Sequence, residues 1–208
     1  QVMGPEGNLY VPLIYAQKGL KAGVGAFDTA SAREIFRLNA NEVDPGLLGS
    51  NALVAPNGDV ILSTNIQLAR HTNSGAQVWS VPIRGMAENL QFGPAGNLLA
   101  FTFNGWFQSF SADNGRLLNE KILTPWRSYP ANPTCLNGSA PWNCAYLAAP
   151  AVDMRASRVY VSYTSETATR WVQAYAYDGK SHALTKLGES AGLASGSIGS
   201  AGPGADKV

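Results

Sequence analysis

Ala55-Pro56-Asn57-Gly58-Asp59-Val60-Ile61 decides the fold because it is one of a set. Gly4-Pro5-Glu6-Gly7-Asn8-Leu9-Tyr10 precedes it and Gly93-Pro94-Ala95-Gly96-Asn97-Leu98-Leu99 follows it, with Pro and Gly at the same places and an apolar run leading out. Pro fixes φ for the second residue of a turn, Gly accepts the positive φ that closes it, and β-prone residues continue the chain, so each copy predicts a strand, a tight turn and a strand. Looser copies of the same length are Asp153 to Val159 and Gly202 to Val208, in which Ala156 matches Ala205 and Val159 matches Val208.

A second motif lies between successive hairpins. Ala26-Phe27-Asp28-Thr29-Ala30-Ser31-Ala32-Arg33-Glu34-Ile35-Phe36 aligns without gaps on Ala69-Arg70-His71-Thr72-Asn73-Ser74-Gly75-Ala76-Gln77-Val78-Trp79. Ser109 to Asn119 is a third copy, and Ala174 to Leu184 a fourth whose turn reads as one residue shorter. Each predicts a strand, a polar turn and a strand. Hairpin plus second motif makes a four-stranded antiparallel meander of about 40 residues, the size of a propeller blade. The fold expected is therefore all-β, a β-propeller of four-stranded antiparallel blades with about four present: 1–46, 47–86, 87–146 including an insertion, and 147–195, with the start of a fifth at 196–208.

For the second blade the predicted strands are Ala52 to Ala55, Val60 to Thr64, Gln67 to His71 and Gln77 to Val81. The third should use Asn89 to Phe92, Asn97 to Phe103, Trp106 to Ser111 and Leu117 to Lys121. The fourth should use Leu147 to Val152, Arg158 to Thr164, Trp171 to Tyr177 and Ala183 to Leu187. Several of these runs alternate weakly between apolar and polar residues, as expected of strands covered on both faces by neighbouring sheets.

Composition agrees with many short strands. Of 208 residues, 45% are hydrophobic and only 14% charged, enough apolar mass for a core, while Gly, Pro and aromatic residues are plentiful. A net charge of +1 offers a phosphate backbone no general attraction, and no apolar run reaches the roughly 18 to 20 residues of a membrane helix. Nucleic acid and a membrane span are thus not expected. Cys135 and Cys144 lie close together in a Pro- and Asn-rich segment with the glycosylation pattern Asn137-Gly138-Ser139. They suggest a disulfide, glycan attachment at Asn137 and a periplasmic or secreted location.

The repeat Ala-x-Asp-x-x-[Ser/Thr]-Gly-x-x-x-Trp resembles that of the pyrroloquinoline quinone-like propellers. Ala69, Ser74, Gly75 and Trp79 match it, as do Ala26, Asp28 and Ser31, with Ala32 and Phe36 replacing Gly and Trp. Ala149 to Asp153 and Val159 to Ser162 are also similar to inner strands of that family. The resemblance implies that the terminal Trp packs between blades, so Trp79, Phe36 and Trp171 are read as packing residues. It also implies an alternative activity, part of a quinone-dependent alcohol or sugar dehydrogenase, with pyrroloquinoline quinone and calcium as cofactors. That family's adjacent cysteines are missing, since Cys135 and Cys144 are separated, and none of its catalytic acids carries onto a position here.

Asp28, Asp59, Asp113 and Asp178 fall in or beside repeat turns and read as turn residues. His71 occupies the repeat Asp position in the alignment, and with His182 as the only other histidine there is too little material for a His-based metal cluster or triad. No catalytic residue and no metal site is expected. The unusual feature is the insertion from about Leu123 to Tyr146, which holds Trp126, Arg127, Tyr129 and Trp142. Strand alternation places it at the ring face from which loops project, and these residue types dominate contact energies. The function expected is a noncatalytic extracytoplasmic module that binds a protein or small ligand with those four residues and needs no cofactor. Hairpins placed at both termini lead us to expect missing blades of a larger ring as further partners.

Overall fold

The computed structural model describes residues 2–13, 23–39, 52–63, 67–85, 87–102, 105–123, 150–164 and 170–190. Among the described residues there is no helix, and sixteen strands form four four-stranded sheets. The first sheet holds β1 (Val2–Met3), β2 (Leu9–Leu13), β3 (Gly23–Phe27) and β4 (Glu34–Asn39). The second holds β5 (Leu53–Val54), β6 (Val60–Ser63), β7 (Gln67–His71) and β8 (Gln77–Pro82). The third holds β9 (Ala87–Phe92), β10 (Leu98–Thr102), β11 (Trp106–Phe110) and β12 (Leu117–Ile122). The fourth holds β13 (Ala151–Asp153), β14 (Arg158–Thr164), β15 (Arg170–Tyr177) and β16 (Leu184–Glu189). Every sheet is a meander in chain order, the topology that short turns between sequential strands dictate.

The Gly-Pro hairpins are built alike. Gly58 N donates to the Ala55 carbonyl at 2.8 Å and Ala55 N to the Asp59 carbonyl at 2.8 Å, and the equivalent pairs close the first and third copies. Gly58 has φ 85°, the left-handed conformation this turn requires of its fourth residue. The fourth copy departs from the expected equal length. Met3 pairs with Leu9 across Gly4–Asn8, whereas Asp153 pairs with Arg158 across Met154–Ser157, and Ser157 takes φ 50°. The Asp153 carboxylate compensates by accepting from the Arg155 and Ala156 amides.

The chain divides into two compact units, residues 1–90 with 113–116, and 91–112 with 117–208. In the first, Tyr10 and Ala26 of the first sheet pack on Val60 and Leu62 of the second. In the second, Leu99, Phe101 and Phe107 of the third sheet pack on Val159, Val161, Tyr175 and Tyr177 of the fourth. Sheets thus stack face on face, which explains the weak alternation: β10 is buried at all five residues and β6 at all four. Apolar side chains at these positions have no solvent face to avoid.

Candidate functional site

The polar turns between third and fourth strands reveal how the repeat is keyed. Asp28 N donates to the Arg33 carbonyl at 2.9 Å, Thr72 N to Ala76 at 2.8 Å and Asp178 N to Ala183 at 3.0 Å, so Asp28, Thr72 and Asp178 are structurally equivalent. This corrects the gapless alignment. Thr72, not His71, stands at the Asp position, and the second copy's turn is the short one while the fourth matches the first. His71 instead ends β7 as Phe27 ends β3, half-buried, and burial depresses its pKa. A hydroxyl can do the carboxylate's work here because Thr72 Oγ1 still accepts from the Ala76 amide at 3.0 Å.

The acids of these turns are engaged locally. The Ser31 amide and hydroxyl donate to Asp28 Oδ1 at 2.6 and 2.8 Å and hold that carboxyl below the usual aspartate value. The Ser181 hydroxyl and the Lys180 amide do the same for Asp178. Asp59 differs from the turn reading, since it forms a largely buried ion pair with Arg70 at 2.7 Å. At the equivalent place in the third sheet Asn97 Nδ2 donates to Ser109 Oγ at 2.5 Å. One sheet position is thus filled by two different cross-strand polar pairs.

Strand alternation puts the Gly-Pro hairpins and polar turns at one end of each sheet, and the connections from second to third strand and onward to the next sheet at the other. In the second unit this loop end has a defined frame. Leu123, wholly buried, donates its amide to the Gly105 carbonyl at 3.0 Å, and Gln91 Nε2 donates to the Pro150 carbonyl at 2.7 Å. Both stems of the insertion are therefore pinned to the sheets. Thr102, also buried, secures the neighbouring loop, since Gly105 N donates to its carbonyl and Trp106 N to its hydroxyl. Trp106 opens β11 and Trp171 lies next to the start of β15, both half-buried at this same end, and Trp171 packs against the core as expected. Trp106 and Gln91 escaped the sequence reading. A tryptophan opening a third strand, paralleling Trp171, was the signal.

Trp126, Arg127, Tyr129 and Trp142 lie outside the described residues, as do Cys135, Cys144 and Asn137. Of the packing residues, Trp79 is 9% exposed, and its ring lies against the turn of the third repeat, where a Cβ built on Gly115 would come 2.8 Å from Cε3. The side chain of Phe36 is outside the description. Among the described residues no group of three His, Cys, Asp or Glu side chains could hold a metal ion, and no helix is long and apolar enough to cross a membrane.

No family model and no curated protein matches the chain. Solved structures do. A functionally unknown protein from Desulfotomaculum acetoxidans DSM 771 superposes with a TM-score of 0.61 at 13% identity, over 93% of this chain and 56% of that one. BamB from Moraxella catarrhalis, a β-propeller, gives 0.54 at 12% identity, over 87% and 47%. The fold is a β-propeller of four-stranded blades. At such identities the likeness concerns fold alone, and the chain spans about half the length of these structures. Within each blade the hairpin and turn end is closed by its own hydrogen bonds, leaving the loop end to vary.

Proposed function

We propose that this chain is a noncatalytic binding or scaffold module of an extracytoplasmic propeller, holding a protein or small ligand against Trp126, Arg127, Tyr129 and Trp142. One observation carries the reading: the insertion that bears them leaves the sheets from Leu123 and returns at Pro150 with both stems hydrogen-bonded, next to Trp106 and Trp171. Pinned stems reduce the ordering cost of a long loop on binding, and large aromatic side chains with Arg supply contact area at low entropy. Four of the five tryptophans thus belong to the loop end or to the loop itself. The module works without quinone or calcium and lies in the periplasm or is secreted, with Cys135 bonded to Cys144 and Asn137 open to glycosylation.

A photo-crosslinking amino acid at 126 or 142 should yield an adduct of one defined mass from intact cells. The same group at Met154, which is 53% exposed at the opposite end, should yield none. Equal adducts from all three positions, or robust dye reduction after reconstitution with quinone and calcium, would replace this reading with a nonspecific surface or with the dehydrogenase.

A further inference from the structure

The residue that ends the third strand of each sheet pairs with the first residue of the fourth strand. It carries a phenyl or phenol ring in three sheets, as Phe27, Phe110 and Tyr177, and an imidazole in the second, as His71. Pairing fixes where this imidazole points. His71 lies opposite Val60 across β6 and β7, opposed residues share a face, and Val60 packs on Tyr10 and Ala26, so the ring is turned toward the first sheet.

In the second unit Tyr177 holds the same place on the face toward the third sheet, and polar groups complete its hydroxyl end. Ser109 and Asn97 hydrogen-bond to that hydroxyl, and His182 Nδ1 lies 2.8 Å from it. The first sheet offers Ala26 where the third offers Ser109, each standing directly before the bulge of its third strand. His71 meets a methyl group there, and its Nδ1 is buried with no hydrogen-bond partner.

An orphaned ring nitrogen makes the two charge states of the imidazole unequal. The neutral ring can leave Nδ1 without a proton, whereas the imidazolium carries a proton on both nitrogens and brings a buried N–H and a positive charge to a face with no acceptor. The charged groups nearby are committed or turned away. The Glu6 carboxylate accepts from the Tyr10 hydroxyl at 2.6 Å, Asp59 and Arg70 pair with each other on the other face of β6 and β7, and Glu34 shares the face of Phe27, which alternates away from Ala26. Burial alone holds the His71 ring below the ordinary histidine value.

We infer that His71 is a proton-operated release for the joint between the first and second sheets: when its ring is charged, the Tyr10 and Ala26 face parts from the Val60 and Leu62 face. The sign follows from the burial. Above the ordinary value of 6.5 the ring is neutral in the closed and the open joint; below it the open, solvated ring takes up the proton first, so the closed joint loses stability in mild acid. Glu6 is held below its usual value of 4.5 by the Tyr10 hydroxyl, so the imidazole, not the Glu6–Tyr10 pair, changes charge in that window. His182 lacks the same consequence, because the Tyr177 hydroxyl can donate to its Nδ1 or accept from it.

Hydrogen exchange of the full chain, read by mass spectrometry at about pH 7.5 and about pH 5 with labelling times scaled for the intrinsic rates, tests it. Peptides from β2 and β6 should exchange at least about threefold faster in acid, while those from β10 and β14 keep their rates. His71→Phe, which copies Phe27 and Phe110, should abolish the gain, and Ala26→Ser, which copies Ser109, should reduce it. With two histidines in the chain, the His71 ring can also be followed directly by proton resonance, and it should titrate below 6.5. A gain that persists in His71→Phe, an equal gain at both joints, or a His71 ring that titrates at 6.5 or above overturns the inference. Should His71→Phe lose its fold, Ala26→Ser and the ring titration decide it.

Discussion

Gly115→Ala should be among the most damaging single-methyl changes in the first unit, and its cost separates into two parts. The first is conformational: φ is 72°, and a Cβ in the left-handed region costs about 1–2 kcal/mol. The second is steric. The added atom would lie 2.8 Å from Trp79 Cε3, 2.9 Å from Cδ2 and 3.0 Å from Val81 Cγ1, and an indole wedged by its own strand cannot give way as the end of a flexible side chain can. Overpacking of this kind adds about 1–3 kcal/mol, so the total is about 2–5 kcal/mol. Gly7→Ala supplies the control in the same unit. It has φ 85° and nothing within 4 Å of its Cβ, so it should show the conformational part alone. Urea unfolding followed by far-UV circular dichroism gives both values. The excess of Gly115→Ala over Gly7→Ala should shrink in a Trp79→Leu background, where the double-mutant cycle removes the ring contacts and leaves only that to Val81. Equal costs for the two glycines, or an excess undiminished without Trp79, would refute the view that the repeat is keyed by an aromatic ring seated on the next turn.

Three further outcomes follow from the same geometry. Ala32→Gly should raise stability by about 1 kcal/mol, seen as a higher melting temperature, because Ala32 now bears the left-handed strain; His182→Gly should gain less, since it gives up the 2.8 Å bond between Nδ1 and the Tyr177 hydroxyl. Arg70→Ala should cost about 3 kcal/mol in urea unfolding by stranding the Asp59 carboxylate, whereas Asp59→Asn combined with Arg70→Ser, which copies the Asn97–Ser109 pair, should recover most of that; a double variant as weak as the single one would show the two sheet positions are not equivalent. Burial, and then the charge of Glu189, raise the Tyr175 pKa to about 12 from an ordinary 10, so the folded state favours the neutral phenol. Its contribution is full below pH 10 and is lost as pH climbs through about 12, and Tyr175→Phe should flatten the stability profile across that window.

The carboxylates of the turns behave oppositely. Asp28 and Asp178 are held below the usual aspartate value by their own turns, so what they contribute is present above that value and fades only in acid. This opposition has a local origin: turn carboxylates collect amide and hydroxyl donors within three residues, while Tyr175 is neutral because two sheets enclose it.

Much of the architecture was legible in residues close together along the chain. The β7 strand runs from Gln67 to His71 as the periodicity predicts, β8 runs one residue past the expected Val81, and β6 starts at Val60 as expected, its expected last residue Thr64 lying outside the described residues. A Pro-x-Gly turn forces reversal wherever it stands, and three such turns, with a fourth hairpin after Asp153 that has neither Pro nor Gly, each open a four-stranded meander. The binding residues of the insertion, by contrast, were legible only as a composition. What was misread has a common cause. The one-residue difference between the Asp28 and Thr72 turns, and the shorter hairpin after Asp153, hide in sequence because the residue is lost from the loop itself while the flanking strands keep their pairing, down to the same bulge at Ala26/Phe27 and Arg70/His71.

Local sequence by itself thus determined the strands, their antiparallel order and their number, since turn chemistry and β propensity act over a few bonds. Tertiary structure alone decided which apolar face is covered. Leu9 and Val60 are equally apolar and hold the same place after the same turn, yet Val60 is buried beneath Tyr10 and Ala26 while Leu9 lines an open groove. Burial depends on which sheet arrives from elsewhere in the chain, and a residue's neighbours in sequence carry no information about that.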